Sequence, residues 1–239
     1  MCIRINKFRE PPVFRSRGIL VSLVIGITGS IASGKSTACQ YLQSKGATHC
    51  DADKLVHRMY DPEKPAFHRI VKAFGNTVVG DDGFIDRKIL GGKVFGRPEE
   101  MARLTEAIGD IFAEVSGVMK DWRQSLDPNE IGLMEAVNFI EAGYGQFSDV
   151  TWLFAADNEL AMSRLMARNN LDQEAAKQRL ASQQKWEDRA PAADVVTHND
   201  GTIEQLEQKV ELEISQILSK HKTGTLPTSK YMSWYDKRI

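Results

Sequence analysis

Gly29-Ser30-Ile31-Ala32-Ser33-Gly34-Lys35-Ser36 follows directly on the apolar run Leu23-Val24-Ile25-Gly26-Ile27-Thr28. It satisfies G-x-x-x-x-G-K-[ST], a phosphate-binding loop that requires a buried strand before it and a helix after it. The run before the loop reads as a buried parallel strand, and Ser36-Thr37-Ala38-Cys39-Gln40-Tyr41-Leu42-Gln43 continues as a helix. A turn with incidental glycines could match the same letters, but not this strand-loop-helix setting.

The residue types say what the loop does. Gly29 and Gly34 have no side chain in the way, so backbone N–H groups can face phosphate oxygens, and the helix starting near Gly34 adds the positive end of its dipole. Lys35 can reach the β- and γ-phosphates, and the Ser36 hydroxyl can be a ligand of the Mg²⁺ that accompanies ATP. Thr37 adds a second hydroxyl, at a position that favours the helix surface. The expected nucleotide-binding set is thus Gly29, Ser30, Ile31, Ala32, Ser33, Gly34, Lys35, Ser36 and Thr37.

Working outward, apolar and β-branched runs place strands at Leu23 to Thr28, Ala47 to Cys50, Ile131 to Val137, Val150 to Phe154 and Val195 to Thr197, with helical patterns between them. This alternation predicts an α/β fold with a five-stranded parallel sheet whose ligands bind beyond the carboxyl ends of its strands. Residues 54–124 are too long for a simple crossover and read as a helical, substrate-covering insertion; residues 158–190 read as a helical lid bearing Arg164, Arg168, Arg179 and Arg189. For any one arginine, a solvated helix face is an equal alternative. The tail, residues 220–239, reads as a flexible, loosely attached appendage.

The chain has 239 residues, 42% hydrophobic and 26% charged, enough for one α/β domain spanning about residues 19–219. A net charge of −1 gives no electrostatic footprint for nucleic acid and favours a small anionic substrate held by local cations. Cys2, Cys39 and Cys50 lack metal-ligand spacing and are odd in number, so they read as thiols of a reducing, cytoplasmic setting. No apolar run approaches the roughly 20 residues of a membrane helix, which predicts no membrane partner. The basic leader, residues 1–18, is expected to be a disordered extension or the product of an upstream start codon, with an organellar presequence as the alternative.

A kinase acting on a hydroxyl needs a carboxylate beside it, and Asp51-Ala52-Asp53 supplies two at the right edge of the sheet. At a strand end both could point to one side, one toward the acceptor and the other toward Mg²⁺-bound water or the loop. Alternatively, Asp53 caps a helix starting at Lys54.

Taken together, residues 26–36, Asp51-Ala52-Asp53, Phe74-Gly75, Asp82-Gly83, Asp86-Arg87, Val94-Phe95, Glu141-Ala142-Gly143, Arg164 to Arg168, Arg179 with Gln183, and Ala193 to Val196 followed by Asn199 resemble the dephospho-coenzyme A kinase family. The resemblance spans about Leu23 to Val210. It implies a P-loop kinase fold and ATP-dependent, Mg²⁺-assisted phosphorylation of the ribose 3′-hydroxyl of dephospho-CoA; the oligomeric state is left open between a monomer and a weak homo-oligomer. It also implies that Asp53 faces the acceptor hydroxyl, that Asp51 supports it or the metal, and that Arg164 and Arg168 approach the phosphates. His57, Arg87 and Glu141 would lie on the acceptor side. His57 matches a family position but is more often structural near a helix start. The chain departs from the family pattern at Gly109-Asp110 and at Asn138-Phe139-Ile140, both on the acceptor side. Two alternatives follow: a related kinase with another nucleotide or nucleoside acceptor, or an ATP-binding regulatory protein without turnover. The second has no need of the acceptor carboxylates. A switch GTPase and a transporter ATPase lack their signature stretches here.

Overall fold

In a computed structural model that describes residues 22–238, the run before the loop is the central strand β1, Leu23–Gly29, buried along its whole length. Helix α1, Lys35–Ser44, leads to β2, Thr48–Asp51. A helical excursion follows: α2 Ala52–Met59, α3 Pro65–Phe74, α4 Arg87–Val94 and α5 Pro98–Ile108. The chain then returns through α6, Ile111–Ser125, to β3, Ile131–Glu135, and to β4, Val150–Ala155. Helices α7 Asn158–Asn169, α8 Gln173–Ala181 and α9 Trp186–Arg189 precede β5, Val195–His198, after which come α10, Ile203–Lys222, and α11, Lys230–Asp236.

The sheet order is β2-β3-β1-β4-β5, and every pairing is parallel. Alternation along β1 divides the core. Leu23, Ile25 and Ile27 face α1 and α10, meeting Ala38, Cys39, Leu42, Leu206, Val210 and Ile214. Val24 faces the other way, toward Val115, Met119 and Trp122 of α6 and toward Phe139. Gly26 lies on that side too, where a Cβ would come within 1.9 Å of the Phe139 ring, so the absent side chain lets the ring lie on the sheet.

Helices α3 to α5 form a separate small core with Ile70, Phe74, Val78, Leu90, Val94 and Ile108. The helical insertion of the sequence reading is therefore narrower than 54–124, because α6 belongs to the sheet's own layer. The predicted third strand also ends early, at Glu135, because the Val137 carbonyl is taken by side chains: Thr28 Oγ1 and Arg189 donate to it.

The expected flexible tail is a correction. Helix α10 runs past residue 219 to Lys222, and α11 docks on the body with Tyr231 fully buried. The Tyr231 hydroxyl donates to the Ile140 carbonyl at 3.3 Å, and its ring occupies the space over Gly145 where a Cβ would stand 2.3 Å from it. Asp194 fastens the start of the helix, accepting from Ser229 Oγ, the Lys230 N–H and the Thr151 N–H, each at 2.7 Å. The aromatics at 231, 234 and 235 have i, i+3, i+4 spacing, the face of an amphipathic helix. The leader and Cys2 lie outside the described residues.

Candidate active site

At the carboxyl edge of β1 the backbone enters conformations that side chains resist. Gly34 has φ +94°, and a Cβ there would lie 2.2 Å from Asn199 Nδ2. Ala32 takes φ 60°, a left-handed conformation that costs on the order of 1 kcal/mol or more for a residue with a side chain. No side chain caps the first turn of α1, so its N–H groups remain available to an anion. Asn199, two strands away, steadies the loop by donating to the Ser33 carbonyl at 3.1 Å. Gln183 accepts from the Ile31 N–H at 2.7 Å.

Lys35 is buried, and its ammonium donates to the Gly29 and Ser30 carbonyls, both at 2.9 Å. Burial pulls its pKa down to about 8, with nearby Glu135 working in the opposite direction. Ser36 Oγ donates to Glu135 Oε1 at 2.7 Å, and Glu135 Oε2 lies 3.1 Å from His49 Nε2. Burial would raise the Glu135 carboxyl, but the hydrogen bonds from His49 and Ser36 and the charge of Lys35 outweigh it and hold it below the ordinary value.

The two aspartates correct the alternative that Asp53 caps a helix starting at Lys54. Asp51, not Asp53, is the N-cap: its Oδ1 accepts from the Lys54 N–H at 3.1 Å, while its Oδ2 lies 3.3 Å from Lys54 Nζ. The helix accordingly begins at Ala52, and Asp53 stands in its first turn. Burial, followed by the neighbouring charge of Asp51, raises the Asp53 carboxyl above its ordinary value.

A cavity of about 510 Å³ brings most of these groups together. It is lined by Ile31, Ala32, Gly34, Lys35, Ser36 and Thr37 of the loop, by Asp51 and Asp53, by Glu135, and by Arg164 and Arg168 from α7. Arg164 donates to the Asn199 and Gly201 carbonyls at 2.8 and 2.9 Å, and Arg168 donates to the Asn169 side chain at 3.0 Å. Both bond only neutral oxygens there, so their charges face the cavity without a carboxylate partner among the described residues.

A second cavity, about 620 Å³, adjoins at Asp51 and is lined by His57, Tyr60, Phe84, Arg87 and neighbouring residues. Arg87 donates to His57 Nδ1 at 3.0 Å, which leaves the ring proton on Nε2. Burial, then the Arg87 charge, lowers the His57 pKa.

Some expected residues lie elsewhere. Glu141 lines neither cavity and pairs with the buried Arg189, Oε1 to Nε at 2.8 Å. Arg189 also donates to Thr28 Oγ1 and the Val137 carbonyl, so this lid arginine braces the sheet edge. Arg179 is exposed on α8. Both departures from the family pattern have structural uses: Asp110 caps α6 by accepting from the Ala113 N–H at 2.9 Å, while Phe139 and Ile140 are buried in the core.

The sequence reading missed Glu135 and His49, and it quoted Asn199 as part of the family pattern without giving it a role. An acid at the carboxyl end of an apolar strand, at the edge where ligands bind, was the available signal for Glu135.

The parallel sheet, the phosphate loop and the facing carboxylates and arginines define a P-loop kinase that acts on a small molecule. The dephospho-CoA kinase family model matches residues 23–205. Curated dephospho-CoA kinases from Geobacter sulfurreducens and Streptococcus pyogenes serotype M3 are 37% and 35% identical over 189 residues, each match covering 79% of this chain and 95% of the relative. Among solved structures, TT1252 from Thermus thermophilus aligns with a TM-score of 0.68 at 29% identity, over 82% of this chain and 98% of that one. Dephospho-CoA kinase from Campylobacter jejuni aligns at 0.56 with 28% identity, over 82% and 97%. The chain belongs to the dephospho-CoA kinase family and is an ATP-dependent kinase. No helix among the described residues is long and apolar enough to cross a membrane.

Proposed function

We propose that the chain transfers the γ-phosphoryl group of ATP to the ribose 3′-hydroxyl of dephospho-CoA, the last step of coenzyme A synthesis. The observation that carries this reading is one cavity lined by Lys35, Asp53, Arg164 and Arg168, opening at Asp51 toward a second cavity large enough for an acceptor. ATP phosphates would lie on the N–H groups of the loop and α1, with Lys35 turning from the Gly29 and Ser30 carbonyls to the β- and γ-phosphates.

Asp53 would accept the proton of the 3′-hydroxyl as its oxygen bonds to the γ-phosphorus and the bond to the ADP oxygen breaks. Its raised pKa suits a base whose acid form must persist briefly. Arg164 and Arg168, on one face of α7 at i, i+4, would neutralise charge on the transferring group. Asp51 would act by holding the helix that carries Asp53.

The oxygen donors on this wall, Ser36, Glu135 and Asp53, fit Mg²⁺, which prefers hard oxygen ligands. Ser36 would hold the ion, with Glu135 orienting its hydroxyl and Asp51 a step away at the helix cap. Bound there, Mg²⁺ supplies charge neutralisation to the phosphates. His57 and Arg87 would face the acceptor. The free thiols and the metabolic-kinase family support a cytoplasmic setting.

Coupled ADP release tests the reading, with dephospho-CoA compared against adenosine, nucleoside monophosphates and phosphopantetheine as acceptors. Strong stimulation by dephospho-CoA alone is expected. No stimulation by it would overturn the assignment.

A further inference from the structure

Behind the phosphate loop, a thiol, an imidazole and a carboxylate converge although no sequence spacing announces them. The ligand atoms of Cys39, His49 and Glu135 all lie within 4.8 Å of one another. Cys39 comes from the sheet-facing side of α1, one turn beyond Lys35. His49 and Glu135 come from paired strands, where His49 stands opposite Leu133 and Asp51 opposite Glu135. Residues two apart share a face, so His49 and Glu135 are diagonal neighbours across that pair.

We propose that Cys39 Sγ, His49 Nε2 and Glu135 Oε2 form a site for a thiophilic divalent transition metal of the zinc class, with water completing a four-coordinate shell. Metal-ligand bonds of about 2.0 to 2.3 Å put tetrahedral donors roughly 3.3 to 3.8 Å apart. No edge of the cluster therefore needs drawing in by more than about 1 Å. A thiolate and a carboxylate balance the two positive charges, which a buried site requires. The mixed S, N, O donor set excludes Mg²⁺ and Ca²⁺, which take oxygen. On binding, the Cys39 thiol gives its proton to solvent and the imidazole binds as the neutral ring. An ion can approach from either side, because His49 lines the acceptor-side cavity and Glu135 the phosphate cavity.

Occupancy has a consequence for the kinase, and this part rests on the function proposed above. Glu135 holds the Ser36 hydroxyl and faces Lys35 as an anion. A metal on Oε2 cancels that charge and sets a second dication beside the Mg²⁺ position. The site thus works as an inhibitory sensor of zinc-class metals, weakening ATP·Mg²⁺ binding.

The test is titration of the full-length chain with Co²⁺ in the absence of nucleotide, read by thiolate-to-cobalt charge-transfer absorption and by the visible bands of four-coordinate Co²⁺. Stoichiometric bands are expected in the unaltered chain and in Cys2→Ser and Cys50→Ser. They should be lost in Cys39→Ser and in His49→Gln, the latter close in shape to the imidazole it replaces at a mostly buried position. Zn²⁺ should displace the cobalt and raise the KM for ATP·Mg²⁺ on the order of tenfold, reversibly with chelator. Cys39→Ala, away from both cavities, should keep metal-free activity and lose the zinc effect. Absence of the bands in the unaltered chain, or their persistence in both ligand variants, overturns the site. Bands with no kinetic effect overturn the sensor role. The optical readout needs no turnover, so it stands apart from any failure of the acceptor assignment.

Discussion

Ser36 and Glu135, 99 positions apart in the chain, are joined by a 2.7 Å hydrogen bond from hydroxyl to carboxylate. The bond ties the first turn of α1 to the carboxyl end of β3 and fixes the direction of the Ser36 lone pairs toward the cavity. Glu135→Gln keeps the shape and removes the charge. Turnover should fall about 10- to 100-fold, with a higher Mg²⁺ concentration needed for half-maximal rate. A Mg²⁺ titration of the initial rate checks this, and an unchanged midpoint counts against the role.

Asp53→Asn should lower kcat by at least about 10²-fold while nucleotide binding persists, because the proton acceptor is removed and the loop and Lys35 are untouched. Since Asp53 must be ionised to act and its pKa is raised, the acid limb of the kcat/KM profile should lie above the ordinary aspartate value of about 3.9. The sign for stability is opposite. A raised carboxyl favours the folded state at low pH and loses that contribution as pH rises through its folded pKa, so the amide variant should melt higher at neutral pH. Thermal unfolding at two pH values distinguishes this from general damage.

Lys35 carries its charge below about pH 8 and sheds it above. ATP affinity of the unaltered chain should therefore weaken as pH rises through that value. The unfolded chain keeps the proton up to about 10.4, so the folded state gains stability across the same rise. Lys35→Ala should lose both affinity and rate at every pH. Normal ATP titration of that variant would contradict the assignment of the loop.

Tyr231→Ala removes a fully buried ring from between Gly145 and the Ile140 carbonyl. A loss of about 3 to 5 kcal/mol in denaturant unfolding is expected, as for other buried aromatics cut to alanine. Tyr231→Phe loses only the hydroxyl's hydrogen bond and should cost about 1 kcal/mol.

The sheet was legible because each strand is a short apolar or β-branched run closed by turn residues, and the loop placed the ligand edge. Asp51 and Asp53 were recognisable as a pair, but which one caps the helix depends on where β2 stops, a matter of one or two residues. Glu135 and His49 were hidden for another reason. Their partners, Ser36 and each other, lie 99 and 86 positions away, and only the strand order brings them together. The departures at Asp110 and at Phe139-Ile140 read as changes of specificity, whereas a helix cap and core filling account for them. Helix α11 went unseen because its i, i+3, i+4 aromatics fill barely two turns and its anchor, Asp194, lies far back in the chain.

That Asp194 anchor gives the molecule a physical end different from its inherited one. The family model's match stops at residue 205, yet the carboxylate that receives the β4 backbone at Thr151 also receives Ser229 and Lys230. During synthesis, the Asp194 carboxylate stays without these two donors until Ser229 and Lys230 emerge. A shortened chain trimmed to the shared region would leave a tyrosine-sized hollow over Gly145.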